Sequence, residues 1–307
     1  MMARIMYSLG VAVILTATMV WASYAYVAPY LPPVVGSPQL VINKSVTVDS
    51  RPMLALEIVD GSVTIRTHRD PAIQRFSIEA GVNVYDKHRV DAATVEAYLD
   101  SIVAVNAEGN GTRIVTEPLE RPDGVMMYVD FVIVVPRGTD INISGANGNI
   151  SVAEGCGDVS VRGGNADIEI DEPGGDVWAS SINGRIRVRN SSRESSLDTV
   201  NGNIYTNIVG GSLNAISTNG IIDTVVEADT VVSCTLNSKN GGVRLRVPSL
   251  LSATWDVFSD FGRVESEIPS DVFRGTRTQN LMQGVSGAGR MKLNLDSLNG
   301  NIDIGKV

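Results

Sequence analysis

The residues best suited to chemistry are carboxylates that recur at a fixed interval. Asp158, Asp167 and Asp176 follow one another at a constant spacing of nine positions. Stacked carboxylates could hold Ca²⁺, and two carboxyl groups about 5–10 Å apart in a cleft could hydrolyse a glycosidic bond. Calcium-binding nonapeptide solenoids use Gly-Gly-x-Gly-x-Asp, but the closest stretch, Gly163–Asp167, lacks the third glycine and has its aspartate one position early. We therefore expect these aspartates to accept backbone N–H bonds in turns, and we predict no metal ion and no cofactor.

The two histidines offer little more. His68 and His88 both lie in charged segments, with Asp70, Asp86 and Asp91 as the nearby carboxylates. Their spacing fits no class of metal site, and the chain has no Gly-x-Ser-x-Gly, P-loop or dinucleotide-binding motif. We predict no catalytic residue and expect solvated loop histidines in a protein that is not an enzyme.

Two aromatic residues are candidate surface contacts. Trp178 and Tyr205 occupy outward-facing positions of a repeat, on what we expect to be two different sheets. Isolated exposed aromatic rings can stack on sugars, although they more often cover a neighbouring strand. The formal net charge is −9, and no stripe of Lys and Arg is present. We therefore expect no nucleic-acid partner, because phosphate contacts require cations.

The elements that must carry these residues come from a nine-residue repeat. Eight consecutive blocks of nine run from Asn149 to Gly220, six of them end in Gly, and their second and fourth positions are mostly apolar. One short strand per nine residues with a glycine corner predicts an all-β protein, a parallel β-solenoid. We expect the corner glycines to have positive φ. They are Gly148, Gly157, Gly175, Gly184, Gly202, Gly211 and Gly220.

Charged rows set the length of one coil. An acidic row of Asp167, Glu169 and Asp171 is followed, two nine-residue blocks later, by a basic row of Arg185, Arg187 and Arg189 at the equivalent positions. With about 18 residues and two strands per coil, the rows become three opposite-charge pairs on adjacent strands, about 4.8 Å apart. Glu169 and Arg187 must then lie on neighbouring strands of one sheet.

The same geometry separates the two cysteines. Cys156 and Cys234 are about four such coils apart in the chain. Four coils at one strand spacing each is about 19 Å, whereas the Cα atoms of a disulfide lie within about 7 Å. We predict two separate thiols at buried or corner positions.

The rest of the chain divides into further regions. Residues 40–140 have alternating strands, an Asp-Gly hairpin or corner signal in 59–65, and one helix beginning after Asp91. We predict a β-rich N-terminal region over 40–140 and a solenoid over 141–307. The glycine-rich segment 271–289 is expected to be a long loop.

The N-terminus predicts a membrane anchor. Residues 5–27 are mostly apolar, aromatic residues gather at their far end, and a Pro-rich linker covers 29–39. A 23-residue apolar segment is long enough to span a bilayer. Because Arg4 marks the cytoplasmic end, residues 1–28 are expected to form a single-pass signal-anchor of the bacterial inner membrane, with the rest exported to the periplasm or cell surface. The alternatives are a signal peptide cleaved after Ala22 or Ala25, and a buried helix.

These features together resemble the bacterial "putative adhesin" domain family of unknown function. The similarity rests on the membrane or signal segment, the β-rich start, the strand in Val132–Ser144, and repeated Asn-Gly corners beginning at Asn147, Asn183, Asn201, Asn219 and Asn299. It covers about residues 40–307. The resemblance implies a right-handed parallel β-helix-like fold and a non-enzymatic surface role, and it supplies no catalytic or binding residues.

The function expected from the sequence is an adhesin-like scaffold or binding surface in the cell envelope, with an unidentified protein or polysaccharide as its ligand. The alternatives are an envelope-stress regulatory component that acts through a membrane partner, or a carbohydrate-active β-helix enzyme. For the enzyme, Asp158 and Asp176 would be the residues to substitute.

Overall fold

The computed structural model describes residues 40–49, 52–85, 91–102, 106–108, 111–115, 127–227, 230–248 and 251–307. They belong to one compact unit, 38–307, and contain two long sheets and one short helix. The strands are β1 Leu40–Asp49, β2 Met53–Asp60, β3 Val63–Thr67, β4 Arg75–Val84, β5 Asn106–Glu108, β6 Gly111–Val115, β7 Met127–Val135, β8 Asp140–Asn147, β9 Ile150–Val152, β10 Val159–Asn165, β11 Ile168–Asp171, β12 Val177–Ser181, β13 Ile186–Ser191, β14 Ser195–Thr199, β15 Ile204–Ile208, β16 Gly211–Ser217, β17 Ile222–Val226, β18 Val231–Ser238, β19 Val243–Val247, β20 Ala253–Ser259, β21 Val264–Ser266, β22 Phe273–Arg277, β23 Leu281–Ser286, β24 Met291–Ser297 and β25 Ile302–Lys306, and the helix is α1 Ala92–Ile102.

The two sheets are the two walls of a flattened solenoid. Sheet I has the order β1-β4-β7-β3-β9-β11-β13-β15-β17-β19-β25-β21, and sheet II has the order β22-β23-β20-β24-β18-β16-β14-β12-β10-β8-β2-β6-β5. Each coil of the repeat gives one strand to each sheet. Alternating residues point inward, so that columns such as Ile150, Ile168, Ile186 and Ile204 are buried between the sheets. Burial of these apolar columns is the main stabilising term of the fold.

The predicted coil length, with two strands per coil, is confirmed. Glu169 is the register partner of Arg187, on adjacent parallel strands of sheet I. The same offset joins Val159 to Val177 in sheet II. A later coil is longer, because Leu213 pairs with Cys234, three positions beyond the partner that the regular offset would give.

One corner is built from a Ser/Thr-x-Asn-Gly motif. The hydroxyl of Thr199 donates to the carbonyl of Gly184 in the preceding coil at 3.1 Å, and that of Ser217 donates to Gly202 at 3.0 Å. The asparagine amides donate to the carboxamide oxygen of the adjacent coil at 2.6 to 2.8 Å. This ladder contains Asn147, Asn165, Asn183, Asn201, Asn219, Asn240 and Asn299. Its first member donates to Asp60 at 2.6 Å.

The expectation that corner glycines have positive φ is wrong for most of them. Among the predicted set, only Gly148 and Gly211 do, at 129° and 70°. At Gly184, Gly202 and Gly220, a Cβ would overlap the backbone carbonyl of the residue one coil earlier. A Cβ would overlap Asp140 at Gly157 and Asp158 at Gly175. Glycine is therefore required at these five corners because successive coils approach too closely for a side chain.

The C-terminal coil lies between two coils that precede it in the chain. β24 pairs with β18 on one side and β20 on the other, and β25 pairs with both β19 and β21. The coil of β20 and β21 is therefore not the spatial neighbour of the coil of β18 and β19, which precedes it in the chain. The C-terminal coil of β24 and β25 fills the space between these two coils.

The expected long loop over 271–289 is wrong. This segment contains β22 and β23, an antiparallel hairpin that pairs with β20 and forms the edge of sheet II. The buried Trp255 indole donates to the Ser286 hydroxyl at 2.9 Å, and Val264 donates its N–H to the Gln279 carbonyl at 2.8 Å. These contacts hold the hairpin across the end of the solenoid.

The N-terminal end is closed by antiparallel pairing of β1 with β4 and of β4 with β7. Helix α1 is capped by the Asp91 carboxylate, which accepts the N–H of Thr94 at 2.7 Å, as the sequence predicts. The Asp-Gly signal is a corner, because β2 and β3 belong to different sheets.

Cys156 and Cys234 are separate buried thiols, which confirms that prediction. No helix among the described residues is long and apolar enough to cross a membrane. The predicted membrane segment and linker lie outside the described residues. The proposed division into 1–28, 29–39, 40–140 and 141–307 stays a prediction.

Candidate binding face

The outer face of sheet I carries charges that are paired with one another. Arg185 contacts Asp167 at 2.9 Å, and Arg189 contacts Asp171 at 3.2 Å and also Glu169. Farther along the sheet, Arg246 contacts Asp223 at 2.6 Å. Exposed ion pairs of this kind contribute little stability, but they leave few charges free for a ligand.

The side chains of one of the three predicted opposite-charge pairs do not contact each other. Arg187 is in register with Glu169, but the carboxylate of Glu169 pairs with Arg189. The Arg187 guanidinium instead lies 5.5 Å from the ring centre of Tyr205, its neighbour in the next coil. The predicted register of the three opposite-charge pairs is confirmed, but the side chains of the central pair take other partners, because a neighbouring aromatic ring offers Arg187 a cation–π contact.

The regularly spaced aspartates bind backbone. The carboxylate of Asp140 accepts the N–H of Asp158 at 2.9 Å, and Asp158 in turn accepts that of Asp176 at 2.9 Å. Asp176 accepts the N–H of Glu194 at 3.2 Å, and Asp167 accepts the N–H of Arg185, one coil later, at 2.7 Å. Each carboxylate joins one coil to the next, which is the turn-capping role that the sequence favours.

A shallow groove of about 220 Å³ crosses the outer face of sheet I. Its lining includes Asp167, Glu169 and Arg187, and the two carboxylates are paired with arginines of the same face. Among the described residues, no group of three His, Cys, Asp or Glu side chains is arranged to hold a metal ion. His68 contacts the backbone carbonyl of Arg75 at 2.8 Å, and His88 lies outside the described residues.

The outer face of sheet II has a different chemistry. Its two central rows run across the strands from β8 to β20 and consist mainly of uncharged polar side chains. One row contains Asn142, Ser160, Trp178, Ser196, Asn214, Thr235, Asn294 and Asp256, and the other contains Ser144, Arg162, Ser180, Asp198, Ile216, Asn237, Asp296 and Phe258. We call these sixteen residues the sheet II face. Within the described part of the chain, its serine, threonine and asparagine side chains make no hydrogen bond to protein.

Large apolar side chains are also exposed on the sheet II face. Trp178, Ile216 and Phe258 keep 36 to 38% of their surface exposed. The Arg162 guanidinium lies 4.9 Å from the Trp178 ring centre and orients the indole. Trp178 and Tyr205 lie on different sheets, as predicted, and Tyr205 is the less exposed of the two.

Two carboxylates of this face have perturbed acidity. Burial raises the pKa of Asp198. The pKa of Asp296 is also raised, first by partial desolvation, although the residue stays exposed, and then by the nearby carboxylates of Asp260 and Asp256. Both groups therefore lose solvation in the folded chain without gaining a cationic partner among the described residues.

Sequence reasoning missed the sheet II face as a unit, although its signal was present. The third and fifth residues of every second block fall on it, as Ser160 and Arg162 do after Gly157. The offset that aligns the charged rows also aligns these polar positions. Their lack of charge made them less conspicuous.

The fold and its faces define a two-walled parallel β-solenoid with one outer face that carries ion pairs and another whose side chains are mainly uncharged and polar. The family model described as Toastrack DUF4097 matches residues 125–305, and the chain belongs to this family. The family is one of unknown function, and the resemblance drawn from the Asn-Gly corners is confirmed.

Three solved structures are similar to the chain. A "putative cell adhesion protein" from Clostridium sporogenes is 10% identical, with 87% of this chain and 100% of that chain covered and a TM-score of 0.24. A "putative adhesin" from Bacteroides fragilis is 11% identical, with 89% and 100% covered and a TM-score of 0.38. A "putative lipid binding protein" from Parabacteroides distasonis is 11% identical, with 89% and 99% covered and a TM-score of 0.38. No curated protein matches the chain.

Proposed function

We propose that this chain is a non-enzymatic, adhesin-like binding protein of the bacterial cell envelope, whose ligand contacts the sheet II face. The observation that carries the proposal is the difference between the two walls. Several charged groups of sheet I pair with one another, as Arg185 does with Asp167 and Arg246 with Asp223. The amides and hydroxyls of the sheet II face, in contrast, make no hydrogen bond within the described chain and lie beside exposed apolar side chains. A rigid array with repeated available groups favours many weak contacts at once.

Membrane anchoring is part of this proposal. The 23-residue apolar segment 5–27 supports a single helix in the inner membrane, and Arg4 supports an orientation that exports the solenoid. Treatment of intact spheroplasts with protease should remove the solenoid and leave only a short membrane-embedded fragment. Protection of the solenoid until the membrane is lysed would contradict export.

The non-enzymatic part rests on how the carboxylates are used. Asp158 and Asp176 each accept a backbone N–H from the following coil, and Asp167 is additionally paired with Arg185. These bonds hold the carboxylates in structural positions. Turnover of a polysaccharide that is lost in Asp158→Asn or Asp176→Asn, with the fold intact, would contradict this part.

The binding role is tested by crosslinking the intact membrane-bound protein in living cells. We expect a covalent adduct with envelope material that survives purification under denaturing conditions. A double variant, Asn214→Glu with Asn237→Glu, places two charges on the sheet II face without touching the core, and it should lose the adduct. The proposal fails if the protein forms no adduct, or if the double variant forms it as well as the unmodified chain.

A further inference from the structure

We propose that the sheet II face binds a neutral, extended polysaccharide, with Trp178 stacked on one sugar ring and the polar rows hydrogen-bonded to sugar hydroxyls. This inference rests on the proposed function and deepens it by naming the class of ligand. The chain of such a glycan would run along the solenoid axis, across successive strands.

The hydrogen-bonding groups of the face match the chemistry of sugar hydroxyls. Asn214, Asn237 and Asn294 are exposed, and Ser196 and Thr235 are half-buried in the same rows. Carboxamides and hydroxyls both donate and accept, as each sugar hydroxyl does. The corner asparagines differ, because they are already bonded to one another along their ladder. The sheet II face therefore presents repeated amides that are available to a ligand.

The lack of charge favours a neutral glycan over an anionic one. From β14 to β24, the positions enclosed by Asp198 and Asp296 hold no ionisable group; they are Ser196, Asn214, Ile216, Thr235, Asn237 and Asn294. Within this stretch a polymer of uronic acids or phosphates would find no Arg or Lys, and the carboxylates at both of its ends would repel it. The arginine of the sheet II face, Arg162, lies outside this stretch, over the Trp178 ring. A neutral chain meets neither obstacle.

Composition favours a glycan over a protein partner. The central parts of protein–protein interfaces are enriched in aromatic residues, Met and Arg and are depleted in Ser. The middle of the sheet II face is mostly Ser, Thr and Asn, with isolated apolar side chains. This composition suits hydrogen bonding to hydroxyls better than close packing against a protein surface.

Trp178 provides a place for one sugar ring. Its register neighbours are Ser160 and Ser196, whose side chains are much smaller than the indole. The Arg162 guanidinium lies over one face of the ring, and 36% of the residue's surface stays exposed for a sugar. Phe258 lies five strands away, about 24 Å at one strand spacing per coil, and can contact a sugar farther along the same chain.

The test is affinity electrophoresis of the detergent-solubilised full chain in native gels that contain a polysaccharide. Glucomannan is the neutral β-linked probe, and alginate is the anionic comparison. We expect glucomannan to retard the protein, with an effect that 0.5 M salt does not remove, because the contacts are uncharged (a Debye length of about 4 Å at that salt). Alginate should leave its mobility unchanged.

Three variants locate the contact. Trp178→Ala should weaken retardation by glucomannan about tenfold, because it removes the stacking surface. Asn214→Ala, which alters only an exposed amide, should weaken it less. Tyr205→Ala, the matched aromatic substitution on sheet I, should leave it unchanged. Unchanged thermal unfolding of each variant shows that its fold is intact.

The inference is overturned if glucomannan fails to retard the protein, if alginate retards it equally, or if both sheet II variants bind as the unmodified chain does. A protein adduct in cells, together with no retardation by glucomannan, would overturn the glycan while leaving the proposed binding function in place. Absence of any adduct in cells would instead remove the proposed function itself.

Discussion

At the scale of the residue, the corner glycines show how closely the coils approach. Gly202 has no positive φ, so its backbone is open to any residue, but a Cβ there would overlap the carbonyl of Gly184. That carbonyl also accepts the hydroxyl of Thr199 at 3.1 Å and therefore cannot move away freely. The corner therefore requires glycine at position 202, because the carbonyl that a Cβ would overlap is held in place by the hydrogen bond from Thr199.

Gly202→Ala should therefore destabilise the fold by about 2 kcal/mol, a cost typical of overpacking. The measurement is the denaturant midpoint, with the slope used to check that unfolding stays two-state. Gly242→Ala is the matched control, because the nearest atom to its Cβ would be the Asn301 carbonyl oxygen at 3.2 Å. Equal losses in the two variants would contradict the close-approach account.

The carboxylates Asp198 and Asp167 should respond to pH in opposite directions. Burial raises the pKa of Asp198, so its ionisation in the folded state costs stability as pH rises through that raised value. Burial also acts to raise the pKa of Asp167, but hydrogen bonds from the N–H and guanidinium of Arg185 outweigh it, and the net shift is downward. Asp167 therefore contributes stability that is lost as pH falls through its lowered pKa.

We expect Asp198→Asn to raise the Tm at pH 7 and Asp167→Asn to lower it, with both differences shrinking in acid. Thermal unfolding of the two variants and the unmodified chain from pH 7 to pH 3 measures this. Shifts of the same sign at pH 7, or differences that grow as the pH falls, would contradict the assigned environments.

At the scale of the element, sequence periodicity predicted the strands and the coil length well. The rows beginning at Asp167 and Arg185 place Glu169 beside Arg187, as the structure has them. Inward columns repeat so regularly that a shift of one residue would turn every apolar side chain outward. Register is thus encoded locally, in a pattern that a single sequence displays.

Two features could not be predicted from that pattern. The hairpin of β22 and β23 has no repeat to reveal it, because its strands pair antiparallel and outside the coil register. The insertion of β24 between β18 and β20 depends on contacts between segments that are distant in the chain. Local spacing says nothing about which coil will be the neighbour of another.

We expect the inserted coil of β24 and β25 to be able to open locally, and the alkylation of Cys234 can report this opening. Cys234 is buried and in register with Leu293 of β24, whereas Cys156 lies buried far from that coil. Burial raises the pKa of Cys156 to about 12 and also raises that of Cys234, so both thiols should resist iodoacetamide in the intact chain. Leu293→Asp with Leu295→Asp places two charges in the buried face of β24, which should release the coil.

In that double variant we expect Cys234 to become alkylated while Cys156 stays protected, as measured by mass spectrometry of the digested protein. Simultaneous alkylation of both cysteines would show that the solenoid opens as a whole. Continued protection of both would show that the coil is not held by its buried leucines.

At the scale of the whole molecule, the central feature is the chemical difference between the outer faces of the two sheets. Sheet I neutralises its own charges through pairs such as Arg246 with Asp223. The sheet II face leaves amides, hydroxyls and an indole available. The sequence pointed to Trp178 as a surface residue, but only the arrangement of the sheets shows that its polar neighbours form a continuous face.

The most direct measurement of this claim compares photocrosslinking from the two walls. A photoreactive amino acid replaces Asn214 on β16 of sheet II or, in a matched variant, Asn207 on β15 of sheet I. Both variants are expressed as the whole chain and irradiated in cells. We predict an envelope adduct from position 214 and little or none from position 207. Equal adducts from the two positions, or an adduct from position 207 alone, would contradict the assignment of the binding surface to sheet II.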